Sequence, residues 1–373
     1  IPDWAARWFE TYAARHADVE AGLRGLPVTQ PLRESVRLEE LDRIEKNIRV
    51  SPLARPGAKL ADAQFFIARA HGFESWPKFA SHFQSVGFEA AADAAISGDV
   101  ETLRRLLNED PRLVHTRSHR SHHAPLLHYI AANGVEDFRQ KTPPNVLAIA
   151  RLLLEAGADV NAESDAYGGG CTALSLAATS LHPERAGVQE ELLQLLLDHG
   201  ARIDKPDAVA ACLANGRGRA AEFLASRGAR LNLETAAGAG RLDVVETFFR
   251  PDGSLDPATP PRQVQRGFLW ACMYGRQDVV EFLLDHGADL RDPADLGATG
   301  LHWAAGAHLN IVRLLLQRGA PLEVTNKWGG TVLEHAVWAS VNTASGVDYV
   351  PIFQALLAAG ARVDDRIAPL LRR

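Results

Sequence analysis

The side chains with obvious chemical capacity in this sequence are histidines, a few carboxylates and a small set of aromatic rings. The segment HTRSHRSHHAPLLHY carries His115, His119, His122, His123 and His128, and clustered imidazoles can bind zinc, copper or nickel. It reads as an extended finger, not a helix, so the spacing of His119 and His123 does not put them on one face. No carboxylate or Cys lies within it, and the expectation is a solvated finger with no metal. Glu334 and His335 stand side by side ahead of Trp338. A carboxylate and an imidazole in apolar surroundings can act as acid and base. Adjacent helical residues point about 100° apart, so these two could share a substrate without forming a direct dyad. The run DAYGGGCT offers three glycines to an anion, but no Lys follows it, and a flexible tip is the expectation. No nucleophile elbow, HExxH, dinucleotide fingerprint or phosphate loop occurs, so the sequence leans away from an enzyme and implies no cofactor.

Composition narrows the classes further. The 373 residues are 46% hydrophobic and 23% charged, a normal globular balance, but only 7% aromatic with a single Met. Leu, Val and Ala must therefore build the core, and 30 Gly with 20 Pro favour short helices and abrupt turns. No apolar run approaches the ~20 residues of a spanning helix. The opening residues IPDWAARWFE contain neither a basic start nor an apolar stretch, so no signal peptide is expected. An Ile at position 1 suggests a short missing upstream piece. Cys171, Cys212 and Cys272 are isolated from one another, which fits a reducing, cytoplasmic setting. A net charge of −6 with scattered basic residues argues against a nucleic-acid binder.

The elements that must position these residues are repeats. An apolar run ending in Gly-Ala recurs as LLLEAGADVNA from Leu152, LLLDHGARID from Leu195, FLASRGARLN from Phe223 and FLLDHGADLRD from Phe282. It continues as LLLQRGAPLEV from Leu314 and ALLAAGARVDD from Ala355, with a worn copy, FFRPDGSLD, from Phe248. A shorter apolar segment precedes each run, and AADAAISGDVETLRRLLNEDP from Ala91 opens the set. The pattern predicts about eight helix pairs, each unable to bury both faces alone.

The segment Thr299-Gly300-Leu301-His302-Trp303-Ala304 carries the T-P-L-H-x-A signature, with weaker traces at Leu127–Ala131 and Thr331–Ala336. The sequence thus resembles the ankyrin repeat over roughly residues 88 to 365. The N-terminal stretch LADAQFFIARAHGFESWPKF is similar to a leader that precedes ankyrin arrays in bacterial proteins. The resemblance implies an all-α ankyrin solenoid (residues 88–373) with a helical N-terminal cap (1–87). It implies that His128 and His302 are structural, and that the slot after the signature His faces a concave groove. That slot brings Tyr129, Trp270, Trp303 and His335 to the groove, with Tyr274, Trp328, Glu334, Asn133 and Tyr167 beside them. Glu234 occupies the slot equivalent to Glu334 in the fifth unit. Inserts at 134–145, 181–189 and 340–350 interrupt three units, their charges expected to be solvated. Two functions remain open at this point. One is a binding scaffold that holds a protein or peptide in the groove, without nucleic acid or membrane. The other is a small-molecule-binding or catalytic protein whose inserts close the groove into a pocket.

Overall fold

The computed structural model describes residues 86–203, 207–294, 297–342 and 346–363, together with eight residues between 64 and 77. The chain divides into two compact units, Ile1–Val86 with Ser118–His123, and Gly87–Arg117 with Ala124–Arg373. The first is described as helical at 64–65, 68–69 and 76–77. The expected N-terminal cap, Trp4 and Trp8 included, otherwise lies outside the described residues.

In the second unit the helices fall into pairs, here called repeat units one to eight. Unit one pairs α1 (Val86–Ser97) with α2 (Val100–Glu109). Unit two pairs a 3-10 helix (Leu126–Ala131) with α3 (Val146–Glu155). Unit three holds α4 (Ala173–Thr179), the insert helix α5 (Leu181–Arg185) and α6 (Gln189–Asp198). Units four and five are α7 (Ala208–Ala214) with α8 (Gly218–Ser226), and α9 (Leu233–Gly238) with α10 (Leu242–Val245). Unit six is α11 (Arg262–Met273) with α12 (Gln277–Asp285). Units seven and eight are α13 (Gly300–Ala305) with α14 (Leu309–Gln317), and α15 (Val332–Asn342) with α16 (Val350–Ala358).

The recurring Gly-Ala dipeptide has a single physical cause. Gly157, Gly200, Gly228, Gly287, Gly319 and Gly360 all end second helices with φ between +80° and +99°. Only glycine takes that conformation at no steric cost. The Ala that follows turns its N–H back to the helix, as in Ala158 to Leu153 and Ala229 to Leu224. This is the Schellman closure, which satisfies carbonyls that the helix end would otherwise leave open. First helices α1, α7, α9 and α11 close in the same way at Gly98, Gly216, Gly240 and Gly275, and first helices carry the small residues that allow tight stacking, such as Ala236, Ala237, Ala304 and Ala305, all buried.

The inserts depart from the solvated loops expected of them. Arg139, in the insert of unit two, is 4% exposed at its side chain and lies within 2.6 Å of Glu89, 2.7 Å of Asp93 and 3.3 Å of Glu136. Its guanidinium also lies 5.8 Å from the Tyr129 ring and 5.4 Å from that of Phe138. Burial opposes the charge, but Glu136, Glu89 and Asp93 outweigh it and push the pKa above the usual arginine value. Unit two is thereby fastened to α1. In unit three, the buried Gln189 donates to the carbonyls of Ala177, Ala178 and Ser180, while Glu184 pairs with Arg217 of unit four. In unit eight, the Tyr349 hydroxyl donates to the Gly306 carbonyl of unit seven. Breaking a buried ion network by removing its cation strands the carboxylates. Arg139→Ala is expected to lower unfolding stability by about 3–5 kcal/mol, measured by urea titration. A loss below about 0.5 kcal/mol, the range of ordinary surface substitutions, would contradict this role.

Candidate functional site

Helix α13 is preceded by Thr299, whose hydroxyl lies 2.7 Å from His302 Nδ1. The opposite nitrogen, Nε2, lies 3.3 Å from the Gly330 carbonyl of the next finger. A carbonyl can only accept, so Nε2 carries the proton and Nδ1 accepts from the Thr299 hydroxyl. His128 Nε2 makes the same kind of bond to the Ala162 carbonyl at 2.9 Å. Both histidines are thus fasteners between one unit's first helix and the next finger.

The finger of unit eight is a tight turn built on Asn326. Its side-chain oxygen accepts from the backbone N–H groups of Trp328 and Gly330, both at 3.0 Å, and its own N–H donates to the Gly330 carbonyl. Lys327 N–H donates at 2.7 Å to Gly297 in the preceding finger. This leaves Trp328 at the tip, 65% exposed, with the Lys327 ammonium 4.6 Å from its ring centroid. The Asn326 amide also lies 3.5 Å from His335 Nδ1.

His335 joins a group of rings. Its centroid is 5.9 Å from His302 and 5.9 Å from Trp303, both edge-on, and 6.2 Å from Trp338. Trp338 is 59% exposed and stands three residues along the same helix, on the same face. The i,i+3 spacing from His335 is the sequence signal for this placement. The indole N–H of Trp303 is buried and meets no acceptor among the described residues. Glu334 does not turn toward this group. Its carboxylate accepts from Thr331 N–H at 2.7 Å while Thr331 Oγ1 faces Glu334 N–H at 3.4 Å, a reciprocal cap at the start of α15. Glu234 likewise faces Arg266, at 3.1 Å.

The other expected groove residues are placed differently. Trp270 is 8% exposed and stacks on Tyr274 at 5.9 Å, and the Tyr274 hydroxyl donates to the Leu213 carbonyl. Both rings pack between units instead of lining a surface, because the helices they meet are built from Ala and Gly. Tyr129 is 1% exposed, edge-on to Phe88 and beneath Arg139. Asn133 and Tyr167 do come together. The Tyr167 hydroxyl donates to Asn133 Oδ1 at 2.6 Å, and Asn133 Nδ2 donates to Leu176 and Thr179. Tyr167 itself is 75% exposed. Among the described residues no three His, Cys, Asp or Glu side chains gather as metal ligands, and no helix is long and apolar enough to cross a membrane. Surface clefts lie at Thr172, Ser175, Thr179, Ile203 and Ala211, and at Arg151, Glu190, Gln194 and Arg227, neither touching Tyr129, Tyr274 or Trp303.

Residues 233–327 and 268–367, which span units five to eight, match the family described as Ankyrin repeats (3 copies). Units five to eight are ankyrin repeats. The chain is 35% identical over 82 residues to the palmitoyltransferase AKR1 of Kluyveromyces lactis. That match covers 21% of this chain and 11% of the relative, so the chain spans about a ninth of that curated protein. A solved human ASB11 ankyrin repeat domain shares 22% identity, covering 74% of this chain and 99% of that one, with a TM-score of 0.38.

The ankyrin histidine has a measurable signature here. Burial, then the neighbouring His335, lowers the pKa of His302 from 6.5 to about 4, and burial also lowers that of His335. Between pH 6.5 and 4 the unfolded chain binds more protons than the folded one. Stability is therefore complete above pH 6.5 and lost as pH falls toward 4, by about 3 kcal/mol for His302. Urea titrations across that window should show this slope, and His302→Gln should flatten it. An unchanged slope in that variant would contradict the assignment.

Proposed function

We propose that this ankyrin array is a scaffold for a protein or peptide partner, which seats on units seven and eight around Trp303, Trp328, His335 and Trp338. The supporting observation is the exposed indole of Trp338 against the partly buried His335 and Trp303, with a second exposed indole, Trp328, on the finger whose Asn326 reaches His335. Clustered exposed aromatic surface is characteristic of interaction sites, where such rings supply contact area at low entropy cost. Asn326 and the Lys327–Gly297 bond already fix the finger, so little ordering remains for a partner to impose. Lys327 adds a cation to the apolar surface.

Ankyrin repeats generally mediate contacts between proteins, and the groove lined by first helices and fingers is the proposed path of the partner. On this reading Tyr167, braced by Asn133, is a second contact near the other end, and the site lies in the cytoplasm. The small-molecule alternative needs inserts that close over the groove. Arg139, Gln189 and Tyr349 instead bind their inserts to the stack, which favours an open surface.

Both indoles are largely solvated, so Trp328→Ala and Trp338→Ala should each change stability by no more than about 0.5 kcal/mol. Partners captured from the native host by the wild-type chain should be lost from the double variant. Capture that survives both substitutions would overturn this placement of the site.

A further inference from the structure

The hydrophobic core is interrupted along the array. One cluster of buried side chains runs from Phe88 to Ala229 and takes in Ala239 and Trp270 further along, and a second runs from Leu233 to Leu356. They meet at unit five, whose α9 reads Leu-Glu-Thr-Ala-Ala-Gly and whose α10, continued by a 3-10 turn (Glu246–Phe248), buries one side chain, Val245. Apart from Leu233 and Val245, the buried residues of this pair are Thr, Ala and Gly, so it brings few large apolar side chains to its neighbours.

Unit six reaches past this weak member. Trp270 packs with the first cluster although its own helix otherwise belongs to the second, and Tyr274 leans against the first cluster too. The Tyr274 hydroxyl bonds the Leu213 carbonyl at the end of α7, and its ring fills the space where any side chain at Gly218 would lie. A side chain at Gly238 would strike Leu213 and crowd Trp270 in the same way. Arg276 adds a pair with Glu222 of α8 at 2.9 Å, and its Nε–H donates to the Gly238 carbonyl at 3.2 Å. Trp270, Tyr274 and Arg276 thus form a strap from unit six to unit four. The lack of side chains at Gly218 and Gly238 gives it room.

We propose that the array consists of two cooperative blocks meeting at unit five, and that the Trp270–Tyr274–Arg276 strap couples them into one. In an ordinary solenoid each unit is stabilised only by its immediate neighbours, so a weak unit lets the two sides open independently. A link that skips a unit removes that independence. The inference is separate from the partner reading, because it concerns residues that are packed between units.

Hydrogen exchange of the full chain across a denaturant series tests it. In the wild type, amides of α6 and α8 should open along the same denaturant dependence as those of α12 and α14. In Tyr274→Ala the two sets should separate, their ratio of protection changing by on the order of tenfold or more. Tyr274→Phe keeps the ring and removes only the bond to Leu213, so it should change that ratio severalfold, and it decides the matter if the Ala variant does not fold. Separate openings already in the wild type would overturn the proposal. So would an equal loss of protection on both sides in the variants, or an unchanged ratio in Tyr274→Phe.

Discussion

Each helix pair of this protein leaves an apolar face that only the next pair can cover, and that constraint governs nearly everything else in the array. Close coverage requires small side chains on the first helices and a sharp, self-satisfied end on the second. The Ala-rich segments and the Gly-Ala closures meet those two needs. The scarcity of aromatic residues follows, since rings would hold neighbouring units apart. Where a ring does enter the stack, as at Trp270 and Tyr274, the opposing helices offer Gly238 and Gly218 to receive it.

The same constraint explains how much could be read from the sequence. The helix ends were legible because the positive-φ glycine and its closing Ala are adjacent in the chain. The structural roles of His128 and His302 were legible for a similar reason, each ring reaching the next finger from a signature slot. Arg139 was not legible. Its partners Glu89 and Asp93 lie in α1, far upstream, and nothing local marks a loop arginine as buried. Trp270 was expected at the groove from its slot alone, without allowance for the small residues that draw it inward. Glu334 was weighed as an acid or base, whereas Thr331 three residues earlier makes it a helix cap.

What this leaves at the surface is a division among the aromatic side chains. Tyr129, Trp270 and Tyr274 hold units together, and burial pushes the Tyr274 phenol above its ordinary pKa, in keeping with a hydroxyl committed to a carbonyl. Trp328 and Trp338 are mounted on a rigid finger and helix but remain largely in water. His335 links the two groups, with His302 on its interior side and Trp338 on its solvent side. The proposed site therefore rests on a support that is already part of the fold.

The most direct test is hydroxyl-radical footprinting of the chain alone and in complex with its captured partner. The account expects Trp328 and Trp338 to be reactive in the free chain and protected in the complex, with Trp270 unreactive in both. Protection elsewhere, with Trp328 and Trp338 equally reactive in both states, would contradict it.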